Sequence, residues 1–317
     1  MTSRESRAAS REGVPTEGRL PIAQSALRNP RSRGSGASPW QDALRRLRKN
    51  RLAMAGLTVL VFFVTAALLA PWIAPLPFDK TNLRYGAKPP TRTHVLGTDE
   101  LGRDLFTRIL YGARISFAVG ILATLVSLTI GVTYGSTAGL VGGRVDHLMM
   151  RVVDILYGLP FMFFVIILMV VFGRNILNLF IALGAVQWLT MARIVRGQVL
   201  SLKTREFVLS AKAIGGSPRR LLIRHVLPNA LGPIVVYATL TVPAVMLEEA
   251  FLSFLGLGVQ PPMASWGSLA SEGAAAMEAY PWLILFPGLA LTVTLLSLNF
   301  IGDGLRDALD PQMSFQR

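Results

Sequence analysis

The stretch Lys203 to Asn229, KTREFVLSAKAIGGSPRRLLIRHVLPN, is the one long polar interval between apolar runs in the second half of the chain. Glu206 to Ile214 has helical spacing, with Phe207, Ala211 and Ile214 on one side and Lys212 on another. Gly215 and Gly216 supply a stop, because glycine past the last turn takes a left-handed cap. Ser217-Pro218 restarts a helix, with serine as N-cap and proline at the first helical position. That second helix is predicted to end at Leu227-Pro228, where proline discourages continuation. The product is helix, tight turn, helix. Its exposed face is basic: Arg205, Lys212, Arg219, Arg220 and Arg224 stand against the single acid Glu206. A polar knob of this kind next to a membrane suits docking into a partner's cleft.

The rest of the chain supplies the membrane. Of 317 residues, 52% are hydrophobic and 16% charged, and the mean hydropathy is +0.48; a soluble domain carries about 25% charged residues. With no cysteine, disulfide and cysteine-based metal or redox chemistry are excluded. The three histidines His94, His147 and His225 lie far apart and form no HExxH pair. The net charge of +14 gathers in the first residues and in the loops assigned here to the cytoplasm, so it marks a membrane side rather than a nucleic-acid partner.

Residues 1–44 read as a disordered basic cytoplasmic tail, rich in Arg, Ser, Gly and Pro. No apolar run follows Met1, so a secretory signal peptide is not expected there. Trp40 to Arg51 reads as an amphipathic basic helix at headgroup level. Six membrane spans are expected, at about Leu52–Ile73, Ser116–Ala138, Met149–Phe172, Ile176–Ile194, Ala230–Leu247 and Tyr280–Ile301. Arg45, Arg46, Arg48, Lys49 and Arg51 precede the first span and place the N-terminus inside; an even number of spans then places the C-terminus inside too. The domain division that follows is a tail (1–44), an amphipathic helix with the first span and an external loop (45–111), a core of five spans (112–305) with the loop 203–229, and a cytoplasmic tail (306–317). Gly131, Gly135, Gly139 and Gly143 recur at four-residue spacing on one helix face; packing is expected at the first two and a turn at Gly142-Gly143. Ala250 to Gly258, apolar but broken by glycine, reads as an interfacial or partly re-entrant element.

Three words in this sequence carry a family resemblance. Leu209-Ser210-Ala211, Gly215 and Leu227-Pro228 resemble the EAA loop of permease subunits in bacterial ABC importers, with Leu209 at the glutamate position. His94-Val-Leu-Gly97-Thr98-Asp99-Glu-Leu-Gly102-Arg103-Asp104 resembles the HxLGTDxxGRD segment of the dipeptide/oligopeptide/nickel permease family. Glu249-Ala250-Phe-Leu-Ser253-Phe-Leu-Gly256-Leu-Gly258, followed by Pro261-Pro262 and Ser265-Trp266-Gly267, resembles that family's EAxLSFLGLGxxPPxxSWG word. The similarity spans about residues 45–310 and points to the C-type subunit.

The resemblance implies an all-α polytopic membrane protein with six spans and a cytoplasmic coupling helix of the type I ABC importer kind. It implies an ATPase-coupling loop built from Glu206, Phe207, Leu209, Ser210, Ala211, Ala213, Gly215, Ser217, Pro218, Leu227 and Pro228. Glu249, Ser253, Gly256 and Gly258 become pathway or structural residues; for Glu249, capping or salt-bridging outweighs a pathway role. A metal or catalytic role for His94, Asp99 and Asp104 is disfavoured against local capping and pairing. The implied partners are a related second permease, two cytoplasmic ATPases, an external solute-binding protein and the lipid bilayer of the inner membrane; no nucleic acid is expected. No cofactor is expected on this chain, with ATP and Mg on the ATPases. No GxxxxGK[ST] loop occurs, so the chain is not expected to be an enzyme. Di- or oligopeptides are the default cargo, with nickel chelates, glutathione or another solute as alternatives. A membrane-embedded enzyme would need converging ionisable residues, and only Asp154, Glu248 and Glu249 are available. An ion-coupled secondary carrier is a further rival class, but neither inverted repeats nor midplane charges are evident.

Overall fold

A computed structural model describes residues 39–74 and 76–309; most of the expected N-terminal tail and the last eight residues lie outside them. The described residues are helical apart from connections, with no strand and one isolated bridge, Thr98 to Asp104. The elements are α1 (Pro39–Lys49), α2 (Arg51–Leu68), α3 (Ala70–Ile73), α4 (Leu105–Val141), α5 (Gly143–Tyr157), α6 (Phe161–Phe172), α7 (Ile176–Leu202), α8 (Glu206–Ala213), α9 (Pro218–Leu221), α10 (Leu227–Phe254), α11 (Trp266–Ala275) and α12 (Trp282–Leu309).

Five of these helices are long and apolar enough to cross a membrane: α2, α4, α7, α12 and the run of α9 into α10. The expected third span is not a straight helix. It breaks between Tyr157 and Phe161, and α5 and α6 meet at an 85° bend. Pro160 lacks the amide a continuing helix needs and disfavours helical backbone at Leu159. At 12 residues α6 is roughly 18 Å long, shorter than the ~30 Å hydrocarbon core. The sixth crossing therefore exists only if the bent pair acts as one.

Other expected boundaries move for local reasons. The second span starts at Leu105 rather than Ser116, because Asp104 caps α4, its Oδ2 accepting from the Thr107 amide at 2.8 Å. Arg108 made this first stretch look polar, yet it is 3% exposed and its Nη1 lies 2.7 Å from both Asp99 and Glu272. Arg103 joins Asp99 at 2.6 Å, and His94 Nδ1 meets Asp104 at 2.8 Å. The HxLGTDxxGRD word is thus a folded brace that ties residues 94–104 to α11. His94 pairs with Asp104, which also caps α4, while Asp99 takes the Arg103 and Arg108 guanidinium groups; among the described residues no three such groups gather as a metal site.

Pro228 does not end its helix. Leu222–Val226 form a π turn, Leu227 N bonds to Leu222 O, and α10 continues. The proline falls within the first two residues of α10, where a missing amide costs least. At the far end, Ala250–Phe254 belong to α10 instead of forming a separate interfacial element. Helices α7 and α12 likewise run on to Leu202 and Leu309.

The tightest helix pair is α4 against α7. A Cβ at Gly135 would stand 2.3 Å from the Ala192 carbonyl oxygen, one at Gly131 2.5 Å from Met191 Cγ, and one at Gly139 2.8 Å from Val199 Cβ. Three of the four spaced glycines therefore pack, one more than the spacing alone suggested; Gly142 and Gly143 turn, with φ of 69° and 58°. A second core gathers around Trp266, fully buried edge-on to Phe63 and Phe117, with its Nε1 donating to Ile109 O at 3.0 Å. Gly135→Val should lower stability by about 1–3 kcal/mol through overpacking. The readout is the thermal midpoint of the purified protein, with Gly197→Ala as control: no atom lies within 4 Å of a Cβ there, and its midpoint should not fall.

Candidate functional site

Three sites bear on function: the α8 turn, the Glu249 cluster and a cavity beside Glu248. Helix α8 hangs between α7 and α9 by one buried side chain, Val208, packed in a cluster with Val199, Val226 and Ala230. On the apolar side read from the spacing, Phe207 and Ile214 are 44% and 89% exposed, and Leu209 beside them is 50% exposed. Ala211 is half-buried, while Glu206, Ser210 and Ala213 are exposed. The reason is the register of the turn. Gly215 N donates to Lys212 O at 3.0 Å and Gly216 N to Ala211 O at 3.1 Å, the paired bonds of a Schellman cap. Gly215 has φ of +93°. Ser217 then accepts from the Arg220 amide at 3.4 Å, and Pro218 opens α9. Leu227 is half-buried and Pro228 exposed where the π turn delivers the chain into α10. The exit angle of α8 is therefore set by backbone bonds, and the face it leaves free is apolar with a basic surround.

Sequence reasoning missed what steadies the base of this knob. Arg196 Nη2 binds Asp146 Oδ2 at 2.7 Å, Arg193 binds Asp154 at 2.7 Å, and Lys203 Nζ donates to Gly139 O at 2.9 Å. These bonds fasten α5 and the end of α4 to the last turns of α7. The only sequence signal was a set of opposite charges some 40–50 residues apart, which has no local pattern.

Glu249 is 1% exposed, and its Oε1 accepts from Ser253 Oγ at 2.8 Å and from Ser265 Oγ at 2.7 Å. Ser265 is also the N-cap of α11, in a capping box with Ser268. Gly258 lies so close that a Cβ there would meet Ser253. The structure thus brings Glu249, Ser253 and Gly258 together as a clasp between α10 and α11. Gly256 stands apart, exposed, with φ of +71°.

The neighbouring acid behaves differently. Gln187 Nε2 donates to Glu248 Oε1 at 2.7 Å, while Oε2 is buried without a partner. Both residues line a cavity of about 380 Å³ between the α5–α6 bend, α7 and α10. Glu248 was noticed in the sequence as an ionisable residue near a span end; Gln187 was not, because a lone amide in an apolar run carries no pattern.

With this geometry in view, known proteins can be compared. Residues 131–315 match the model for "Binding-protein-dependent transport system inner membrane component", and residues 38–90 match that for the "N-terminal TM domain of oligopeptide transport permease C". The chain is 52% identical over 279 residues to the oligopeptide transport system permease protein OppC of Haemophilus influenzae, covering 87% of this chain and 90% of that protein. It is 48% identical over 274 residues to the dipeptide transport system permease protein DppC of Bacillus subtilis, covering 86% of each. The glutathione transport system permease protein GsiD of an Escherichia coli strain is 40% identical over 280 residues, covering 87% of this chain and 91% of that protein. Among solved structures, an inward-facing MetNI methionine ABC transporter chain superposes with a TM-score of 0.55 at 16% identity, over 64% of this chain and 96% of that one, a likeness of fold. Helices that span, an α8 turn that projects from them and matches over most of the length agree: the chain belongs to the family of inner-membrane permease components of binding-protein-dependent ABC importers.

Proposed function

We propose that this chain is one of two permease subunits of an ATP-driven importer of di- or oligopeptides, and that α8 couples it to a cytoplasmic ATPase. The observation that carries the coupling role is the combination found at α8: an outward apolar face, a basic surround and an exit angle fixed by a Schellman turn. A helix held this way can transmit a push, whereas a loosely joined one would absorb it. Peptide cargo is favoured by relatives at 48–52% identity that carry oligopeptide and dipeptide names, against 40% for the glutathione relative. In this reading ATP and Mg sit on two partner ATPases, a second permease completes the pathway, and an extracytoplasmic binding protein delivers the solute. The basic residues beside α2 and around α8 support a reading with both termini and the α8 turn in the cytoplasm, the bent α5–α6 pair counting as one crossing. The division into tail, first-span segment and core around the loop 203–229 follows from the same reading, although α4 runs across residue 111 without a break.

Two measurements test this. In whole cells, Ala279→Cys, in the exposed connection between α11 and α12, should label from outside, and Ser217→Cys should not. Labelling of Ser217→Cys from outside would invert the topology. The second is Gly215→Val. Positive φ costs an L-residue about 1–2 kcal/mol, and a β-branched one tolerates it least. Nothing lies within 4 Å of a Cβ at Gly215, so the strain falls on the turn and not on the spans. Peptide uptake and substrate-stimulated ATP hydrolysis by the assembled importer should fall together at an unchanged membrane level, and Leu209→Ala should do less harm. Normal uptake by Gly215→Val at normal expression would remove α8 as the coupling element.

A further inference from the structure

The cavity beside Glu248 contains an acid and no base. Its walls are Leu156, Tyr157, Leu159, Phe161, Phe164, Ala185, Val186, Gln187, Leu189, Thr190 and Glu248, with neither lysine nor arginine among them. Arg193 is nearby in the chain but is already engaged, 2.7 Å from Asp154 and 4.2 Å above the Tyr157 ring. Glu248 Oε1 takes the Gln187 amide, which fixes the direction of the carboxylate, and Oε2 has no donor. A carboxylate oxygen left without a donor inside an apolar span is costly. Glu249, one residue on, shows the alternative: its Oε1 is satisfied by two serines of the same chain. Glu248 instead faces open space, at a bend in the helices where the wall is aromatic and polar groups are few.

We propose that Glu248, oriented by Gln187 and flanked by Thr190, receives the protonated amino group of a peptide cargo in this cavity. This rests on the peptide-importer reading above. An ammonium fits each feature. It supplies the charge and the donor that Oε2 lacks, and its N–H groups make charge-assisted bonds to a carboxylate. Phe161 and Phe164 supply aromatic wall, which a cation tolerates better than aliphatic surface. The remaining apolar wall makes no demand on cargo side chains. Every peptide with a free N-terminus presents this group whatever its sequence, so one acid can serve many cargoes.

The test uses the assembled importer in vesicles with Ala185→Cys, on the cavity wall, as reporter, since this chain has no cysteine of its own. The rate of thiol labelling of this subunit is measured during turnover, with and without a free-amine tripeptide, alongside uptake of that tripeptide. Protection by the peptide should be lost in Glu248→Gln and retained in Glu248→Asp, and uptake by Glu248→Gln should fall by about tenfold or more, the worth of one charged hydrogen bond. Equal protection and uptake in Glu248→Gln would mean that the acid is held neutral by a proton, and would overturn the proposal. Failure of Glu248→Gln to assemble with the second permease would mean that the missing donor belongs to that subunit, and would overturn it equally. Protection that survives Glu248→Gln while uptake falls would place the cargo elsewhere in the cavity and would likewise overturn the proposal. If the unmutated importer carries no peptide at all, the peptide reading itself fails, an outcome distinct from the others.

Discussion

The contact between α4 and α7 governs the placement of everything that functions. Two helices in a bilayer gain little from burying apolar surface, since lipid is as apolar as they are, so close backbone approach has to hold them. Here Gly131, Gly135 and Gly139 let α7 lie directly against α4 from Met191 to Val199. The last turns of α7 are then fixed in space, and Lys203, bonded to Gly139 O, hands the chain to α8. Gln187, four residues before Met191, is held on the opposite stretch of the same rigid rod. The α8 turn and one wall of the cavity thereby both hang on α7.

Buried polar groups divide into two kinds within this frame. Asp99, Arg103 and Arg108 satisfy one another, with Glu272 added from α11, and Glu249 is satisfied by Ser253 and Ser265. These are internal fastenings, and they lock α10, α11 and the segment before α4 into one body. Glu248 is arranged otherwise: half of its carboxylate is met by Gln187 and half by nothing among the described residues. Adjacent residues on α10 thus do opposite work. The side chain that faces α11 binds the fold together, while its neighbour faces the bend in α5–α6.

Much of this was legible in the residues. Apolar runs announced the long helices, and Gly215-Gly216 with Ser217-Pro218 announced the α8 turn to within one residue. The family words pointed to the brace around Asp99 and to the Glu249 clasp. What remained hidden depended on distant partners. Arg108 looks like loop chemistry until Glu272, 164 residues later, neutralises it. Phe207 and Ile214 share a face by their spacing, and the folded turn leaves both exposed. Pro228 looks like a stop until a π turn places it where its missing amide does no harm. Periodicity reports which residues share a face; it does not report which way the face points.

That π turn has a consequence for how the two ends of the protein are geared. From Pro218 to Phe254 the helix is one continuous rod of 37 residues, roughly 55 Å long, joining the α8 turn to the Glu249 clasp. A π turn amounts to one extra residue spliced into an α-helix. Each residue advances an α-helix by about 100°. Deleting one residue of Leu222–Val226 would let this turn close as ordinary α-helix with Glu248 still facing Gln187, whereas a deletion in the regular turns between Val226 and Glu248 would swing Glu248 by about 100°. The five-residue segment is where the rod takes up one residue of length between the α8 turn and the face that carries Glu248.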